Sequence, residues 1–226
     1  MPPNPAASRV PVDDYLAPLG CDLRGVKIGV PRSYFFEGMD PEGARAFEGA
    51  LETLRELGAV VRDVTIPSLH ATPAFLLIVM AEVFAYHERD IREHPERYGE
   101  VLRERILTGA LVTAAEYIQA QRLRAQLCSE MAHVLLDVDV VATPTTPTPA
   151  TPFTRAQDPE VGFPRSSMLP FNATGLPTLA LPCGFTSTGL PLSLQRAGRP
   201  FEEGMVLRVG HAYEQATPWH TRRPPV

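Results

Sequence analysis

Residues 26–66 constrain the fold most, because they read as a strand, a helix and a second strand in succession. Val26–Val30 alternates as a short strand. Asp40–Glu42 predicts a helix start, since an aspartate before a proline can cap free backbone N–H groups, and Gly58 supplies the stop. The apolar positions between them share one helix face: Phe47, Leu51, Leu54 and Leu57. Residues 59–66 alternate again, and a crossover of this length predicts an α/β fold with parallel strands.

Helical and extended patterns alternate through the rest of the chain. Helical patterns fill most of residues 67–136. Thr113 and Glu116 form a capping-box motif, and the helix they open has one apolar face: Tyr117, Ala120, Leu123, Leu127, Met131 and Val134. Further elements are predicted as strands over 137–143, 176–181 and 190–194 and a helix from Pro200. The proline- and threonine-rich run after the first of these strands is expected to lie outside the sheet, because proline lacks a backbone donor.

Length and composition indicate one globular unit. The chain has 226 residues, of which 44% are hydrophobic, enough to bury a sizeable core. Residues 1–20 are rich in proline and read as an irregular linker. Neither an internal repeat nor a second complete domain is evident in the sequence, so residues 21–226 are expected to belong to a single domain.

Charge and targeting patterns argue against several classes of protein. A formal net charge of -5 gives no basic footprint, so no nucleic acid partner is expected. The most apolar stretch, Phe75–Ala85, is interrupted by Glu82 and is too short to span a bilayer, so no membrane is expected. The sequence after Met1 does not resemble a signal peptide. Three unpaired cysteines indicate idle thiols in a reducing cytoplasm: Cys21, Cys128 and Cys183.

Several short motifs occur in a fixed order along the chain. They are Asp22-Leu-Arg-Gly25, Ile28-Gly-Val-Pro31, Thr143-Pro-Thr-Thr-Pro-Thr-Pro149, Pro170-Phe-Asn-Ala-Thr-Gly-Leu-Pro177, Leu181-Pro-Cys-Gly-Phe185 and Gly189-Leu-Pro-Leu-Ser-Leu-Gln195. In this order they resemble the C-terminal half of the amidase-signature family. The resemblance implies a single α/β/α domain with a mixed sheet. This chain would be the C-terminal portion of that fold only, and would supply one wall of its substrate cleft.

The same resemblance implies hydrolysis of a carbon–nitrogen amide bond by a serine, a second serine in a cis peptide and a lysine. In the family those residues lie upstream of the matching region. The adjacent Ser166 and Ser167 follow Arg165 rather than glycines that would let backbone N–H groups approach a substrate. The only lysine, Lys27, falls on a strand in the resemblance. No catalytic residue is therefore assigned to this chain, and no cofactor is expected.

The sequence also contains weaker motifs for other kinds of catalytic site. His87-Glu88 begins a zinc-protease pattern, but Ile91 stands where the second histidine is needed, so no metal site is expected. Cys183 and His211 offer the residue types of a thiol nucleophile and its base. The resemblance instead places this cysteine on a core strand. Glycine-rich phosphate-binding motifs do not occur in the sequence.

The resemblance assigns five residues to the wall of the substrate cleft: Thr145, Asn172, Thr174, Gly175 and Arg105. Asn172 would hold backbone groups of a turn or contact substrate, and Gly175 would permit a positive φ. Arg105 is either a surface arginine or the counterpart of one that binds a substrate α-carboxylate in glutamine-using tRNA amidotransferases. Those members bind the α-ammonium with an aspartate where Arg165 stands here, and a cation would repel that group.

Three hypotheses follow for function. In the first, the chain is the C-terminal fragment of an amidase that acts on a small-molecule amide once the N-terminal half, in the same or a partner chain, completes it. In the second, it is a non-catalytic binding or scaffold module, or one subunit of a split enzyme. In the third, it is the tail of the amidase-like subunit of a tRNA-dependent amidotransferase. The first two predict that these residues alone hydrolyse nothing.

Overall fold

A computed structural model describes residues 8–152 and 167–223. Its strands are β1 (Lys27–Pro31), β2 (Val60–Val64), β3 (Val140–Pro144), β4 (Thr178–Phe185) and β5 (Pro191–Gly198). Its α-helices are α1 (Pro41–Glu56), α2 (Phe75–Glu93), α3 (Glu100–Thr108), α4 (Ala114–Asp137), α5 (Leu169–Thr174) and α6 (Glu203–Ala216). Residues 8–20 form turns and irregular backbone. The order of elements follows the order that the sequence predicts.

The predicted strand–helix–strand unit is confirmed. Asp40 caps α1, because its carboxylate accepts from the N–H groups of Glu42 and Gly43 at 2.8 and 3.2 Å. Gly58 ends the helix with a φ of 95°, a left-handed conformation that residues with a Cβ rarely adopt. β1 and β2 then pair in parallel, with Lys27 opposite Val60.

All five strands form one mixed sheet in the order β2-β1-β3-β5-β4. β1 runs parallel to β2 and β3, whereas β5 is antiparallel to both β3 and β4. The expectation that the proline–threonine run lies wholly outside the sheet is wrong at its start, because Pro144 is the last residue of β3 and pairs with Leu194. Proline is tolerated at that position since the strand ends there.

Helices cover both faces of the sheet, which confirms the α/β/α architecture. The first core lies between the sheet and helices α1 and α6, and includes Phe47, Leu54, Leu194 and Val209. The second lies between the opposite face and helices α2, α4 and α5, and includes Phe75, Leu127, Val141 and Phe171. Helices α1 and α6 pack directly on the sheet, whereas α3 packs on α2 in an outer position.

The capping box at the start of α4 forms as predicted. The hydroxyl of Thr113 accepts from the N–H of Glu116 at 3.3 Å, and the Glu116 carboxylate accepts from the N–H of Thr113 at 2.9 Å. Ala120, Leu127 and Met131 of the predicted face are buried.

The apolar stretch of α2 is longer in the structure than the sequence pattern indicates. A 3₁₀ helix over Pro67–Ala74 leads directly into α2, so the helical segment Pro67–Glu93 has 27 residues. By length and composition it is able to cross a membrane, with a mean hydropathy of 1.6 in its most apolar window. Of that window 28% is buried. Because α2 packs against α3 and α4, the same composition also suits a helix of a layered core.

Candidate functional site

The carboxyl ends of the parallel strands β1 and β3 lie at one edge of the sheet, the usual ligand-binding edge of α/β folds. Thr145 follows β3 directly at this edge, and its N–H donates to the carbonyl oxygen of Ser193 at 3.2 Å. The Oγ1 atom of Thr145 is buried and has no hydrogen-bond partner among the described residues. Buried hydroxyls are normally paired, so the Thr145 hydroxyl is an unmatched polar group at this edge among the described residues.

The side-chain amide of Gln195 connects this edge to the residues that lead into α5. Its Nε2 atom lies 3.0 Å from the hydroxyl of Thr143, 3.1 Å from the carbonyl oxygen of Pro144 and 2.8 Å from the carbonyl oxygen of Ser167. Gln195 is 1% exposed. We call these residues the Gln195 clamp. The clamp holds the end of β3 beside the segment that leads into α5.

α5 and its last turn contain three of the residues assigned to the cleft. Thr174 closes the helix, because its hydroxyl donates to the carbonyl oxygens of Pro170 and Phe171 at 3.0 and 3.2 Å. Gly175 follows with a φ of 71°, the positive φ expected from the sequence. Its N–H donates to the carbonyl oxygen of Phe171 at 2.8 Å. The turn therefore ends by the left-handed cap that glycine favours.

Asn172 does not hold that turn as expected. Its side chain is exposed on α5, and the turn is held instead by Thr174 and Gly175. Within the part of the chain that the structure describes, the Asn172 amide bonds to no protein group, so it remains able to contact a ligand. Substrate contact by Asn172 stays a prediction.

Arg124 is a second residue, besides Gln195, that sequence reasoning missed. Its Nε atom donates to the carbonyl oxygen of Ala173 at 2.6 Å, which fixes the end of α5 against α4. Gln195 had one weak signal, since it directly follows the alternating apolar pattern of residues 190–194. Arg124 had none, because it lies among several polar residues of α4.

Arg105 lies apart from the other assigned residues. It is exposed on α3, which packs against α2, whereas α5 packs against α4. Its assigned role in carboxylate binding stays a prediction. Arg165 and Ser166 lie outside the described residues.

Lys27 and Ser167 do not form a nucleophile and base. Lys27 begins β1, and its N–H donates to the carboxylate of Asp139 at 2.8 Å, just before β3 begins. Ser167 contacts Gln195, which reaches Pro144 at the far end of β3. At about 3.3 Å per residue, this strand separates the two sites by about 13 Å. A direct hydrogen bond between them is therefore not formed.

The remaining candidate chemistries find no support in the described structure. Burial raises the pKa of the Cys183 thiol to about 12, the opposite of what a thiol nucleophile needs. His87 contacts Tyr98 at 3.0 Å, and the Tyr98 hydroxyl donates to Asp90 at 2.6 Å. This donation lowers the pKa of Asp90 and raises that of Tyr98. Among residues 8–152 and 167–223 there is no group of three or more side chains able to hold a metal ion.

A cavity of about 570 Å³ opens on the other face of the sheet, between α1, β4 and the segment after α6. Cys183 and Tyr213 line it. Arg196 lies near both residues, with its guanidinium carbon 5.7 Å from the Tyr213 ring centre. Arg196 is fully buried, and its guanidinium nitrogens have no hydrogen-bond partner among the described residues. Burial lowers its pKa to about 10.

This α/β/α layering and the order of its motifs agree with the comparison with known proteins. A sequence model of the Amidase family matches residues 1–207, so the chain belongs to the amidase-signature family. It is 39% identical to an amidase of Pseudomonas putida, over 99% of this chain and 50% of that protein. It is 37% identical to a glutamyl-tRNA(Gln) amidotransferase subunit of Chloroflexus aggregans, over 99% of this chain and 51% of that protein.

A solved structure shows the same relationship. The crystal structure of a glutamyl-tRNA(Gln) amidotransferase subunit from Thermotoga maritima matches with a TM-score of 0.66 and 30% identity. The match covers 87% of this chain and 44% of that structure. The chain thus spans about half the length of the curated relatives it matches.

Proposed function

We propose that this chain forms the non-catalytic half of an amidase and builds one wall of the cleft in which a small-molecule amide is hydrolysed. The Gln195 clamp carries the proposal, because it holds the end of β3, which Thr145 follows, beside the segment before α5 at the carboxyl edge of β1 and β3. Ligands bind at this edge in α/β enzymes. Membership of the amidase family supports the same assignment.

Within this wall, the assigned residues differ in what they can offer a substrate. Thr145 offers a hydroxyl that no described residue occupies. Asn172 offers an exposed amide, which can donate and accept. Thr174 and Gly175 shape the turn rather than contact the substrate, since the Thr174 proton is already donated to the backbone. Arg105, on α3, would contribute to binding only if the substrate carries a carboxylate.

The catalytic serine, cis-serine and lysine would come from the other half of the fold. The chain by itself would then bind weakly and hydrolyse nothing. The separation of Lys27 from Ser167 along β3 supports this. The other half would lie either in the same polypeptide or in a partner chain.

Co-expression tests the proposal. We expect the purified chain to release no ammonia from a panel of aliphatic and aromatic amides. The same chain, co-expressed with the amino-terminal half of the P. putida amidase, should release it. Turnover by the chain alone would contradict the proposal, as would an inactive complex of the two halves.

Substitution of Thr145 tests the cleft wall itself. In the active complex, Thr145→Val should lower kcat/KM by about 3- to 10-fold, the worth of one neutral hydrogen bond. Thr146→Val is the matched control, because its hydroxyl donates to the neighbouring carbonyl oxygen of Thr148. Equal effects of both substitutions would remove Thr145 from the substrate site.

A second candidate function is the tail of the amidase-like subunit of a tRNA-dependent amidotransferase. It is favoured by the 37% identity to the amidotransferase subunit of C. aggregans. Arg165 argues against it, since a cation at that position would repel the α-ammonium of glutamine. Release of glutamate from glutamine by the complex, at a rate above that for simple amides, would favour this function over the first.

We also propose that the protein works in the cytoplasm. Cys21, Cys128 and Cys183 are free thiols, which suits a reducing compartment. Fractionation of cells expressing the tagged chain should place it with cytosolic proteins; recovery with membranes would implicate the apolar segment Pro67–Glu93.

A further inference from the structure

The helix α5 depends on contacts with other elements for its place beside the sheet. It has six residues, too few to be stable as an isolated helix. Phe171 anchors its apolar side, because this side chain is 2% exposed and its ring centre lies 6.0 Å from that of Phe35. Asn172 lies on the exposed side. The last turn of α5 needs further partners, since the final carbonyl groups of a helix have none within the helix.

Arg124 of α4 is one of these partners. Its Nε atom donates to the carbonyl oxygen of Ala173 at 2.6 Å, and hydrogen bonds from charged donors are stronger than neutral ones. The Sγ atom of Cys128 reaches the same oxygen only at 4.0 Å and is a weak donor. Because Ala173 directly follows Asn172, the bond from Arg124 restrains the backbone next to the exposed amide.

Further hydrogen bonds hold the Arg124 side chain in place. Its Nη1 atom donates to the Oε1 atom of Gln121 at 3.5 Å. The Nε2 atom of Gln121 donates to the hydroxyl of Tyr117 at 2.9 Å, and this hydroxyl donates to the carboxylate of Glu82 on α2 at 2.9 Å. We call these four residues the Arg124 network. It connects α2 to α5 across α4, and its donors all point from Arg124 toward the carboxylate.

Arg122 shows what an arginine of α4 does without such partners. It is exposed, and its Nη1 atom donates to the side chain of Gln119 at 3.2 Å, within the same helix. Arg124 is instead half-buried, and its bond to Ala173 spans 49 positions of sequence. The two arginines therefore differ in what they hold, because only the bond of Arg124 reaches α5.

We propose that Arg124 is a positioning residue for substrate binding, which holds the Asn172 amide in the cleft wall through the carbonyl group of Ala173. The proposal rests on the proposed function, because it takes Asn172 as a contact of the substrate. Arg124 acts on the backbone of α5 and not on the reacting atoms. Its loss should therefore weaken substrate binding and leave the chemical step unchanged.

Kinetics test the proposal in the active complex of this chain with the amino-terminal half of the P. putida amidase. With the best amide of the panel, Arg124→Met should raise KM by about 5- to 20-fold and change kcat by less than about 2-fold. Arg124→Lys keeps a cationic donor and should raise KM less. Tyr117→Phe interrupts the Arg124 network and should also raise KM, by less than Arg124→Met. Arg122→Met is the matched control and should leave KM unchanged.

A double-mutant cycle separates positioning from a general structural role. If Arg124 acts through Asn172, Arg124→Met should raise KM no further in a protein that already carries Asn172→Ala. A general structural role would raise KM equally in both backgrounds. A cooperative thermal melt of each variant confirms that it folds.

Hydrogen exchange tests the same contact in the chain alone, without activity as the readout. The N–H of Gly175 donates to the carbonyl oxygen of Phe171 and closes the last turn of α5. In Arg124→Met this amide should exchange at least about 10-fold faster, because the turn opens more often. The amide of Val141, in the central strand β3, should keep its rate. Arg122→Met should change neither amide.

The outcomes distinguish this proposal from the proposed function. An active complex in which Arg124→Met leaves KM unchanged, or in which Arg122→Met raises KM equally, would overturn the role of Arg124 and leave the function standing. Equal increases of KM with and without the Asn172 amide would also overturn it, as would unchanged exchange at Gly175. An inactive complex, with faster exchange at Gly175 in Arg124→Met, would overturn the function and retain the anchoring of α5.

Discussion

The side-chain amide of Gln195 donates to the carbonyl oxygen of Ser167 at 2.8 Å, which ties β5 to the residues that precede α5. The same Nε2 atom approaches the hydroxyl of Thr143 and the carbonyl oxygen of Pro144. An amide has two N–H hydrogens, so three acceptors share them. The bonds position the segment before α5 relative to β3, because one side chain contacts both. They also make both elements sensitive to one side chain.

Replacing Gln195 should therefore destabilise the fold and disturb the cleft together. In Gln195→Leu, buried acceptors lose their donor, and we expect a loss of about 1–3 kcal/mol in the free energy of unfolding. Urea denaturation measures it. Gln215→Leu is the control, because that residue is exposed near the end of α6. An unchanged Gln195→Leu protein would mean that the clamp adds nothing to stability.

Arg196, the next residue along β5, is expected to destabilise the fold, whereas Gln195 stabilises it. Its guanidinium is fully buried and has no hydrogen-bond partner among the described residues, although its carbon lies 5.7 Å from the centre of the Tyr213 ring. An uncompensated buried charge is destabilising, so Arg196→Met should raise the free energy of unfolding by at least about 1 kcal/mol. Arg196→Lys, which keeps a charge, should give no gain. Destabilisation by Arg196→Met would mean that the contact with the Tyr213 ring, or with a group outside the described residues, outweighs the cost of burying the charge.

The sequence was sufficient to predict the features that depend on residues close together in the chain. The caps of α1 and α4 depend on Asp40, Gly58 and the Thr113–Glu116 pair, each within a few residues of the helix end it controls. The positive φ of Gly175 was predictable for the same reason. A glycine directly before an apolar strand is most often a turn residue with a positive φ.

The site was less predictable, because it depends on contacts between distant residues. Gln195 and Thr143 meet across 52 positions of sequence. Alternation along β5 indicates that Gln195 and Arg196 face opposite sides of the sheet, but not which side holds acceptors and which is apolar. Asn172 was assigned to the turn because its chemistry suits turns, yet Thr174 was placed closer to the acceptor carbonyls by the helix geometry. The local sequence does not indicate whether Asn172 or Thr174 holds the turn.

Alkaline pH should weaken the fold through Cys183. Burial raises the pKa of this thiol from 9.0 to about 12. The folded state therefore keeps its proton while the unfolded chain loses it above pH 9, so the contribution to stability is complete below pH 9 and lost between pH 9 and 12. Cys183→Ala should reduce the fall in unfolding free energy across that range.

Urea denaturation between pH 8 and pH 11 checks this expectation. Cys21→Ala is the control, because Cys21 is exposed and its removal should leave the alkaline decline unchanged. Tyr213, whose pKa burial raises to about 12, contributes a decline in the same direction that remains in both variants. An identical decline in Cys183→Ala and the unmodified protein would show that the thiol ionises equally in both states.

The last turn of α5 offers the cleanest test of backbone conformation. Gly175 has a φ of 71°, and a Cβ there would meet nothing within 4 Å, so Gly175→Ala introduces backbone strain without a clash. We expect a loss of about 1–2 kcal/mol in unfolding free energy, with Gly175→Asn less affected because asparagine tolerates this region. Gly99→Ala is the matched control, since Gly99 has equally open surroundings but a φ of -58°. Equal stability of the two alanine variants in urea denaturation would mean that the turn adopts another conformation in solution. A selective loss in Gly175→Ala would instead support the left-handed turn, and in the active complex that variant should also raise KM, because α5 would no longer hold its place in the cleft wall.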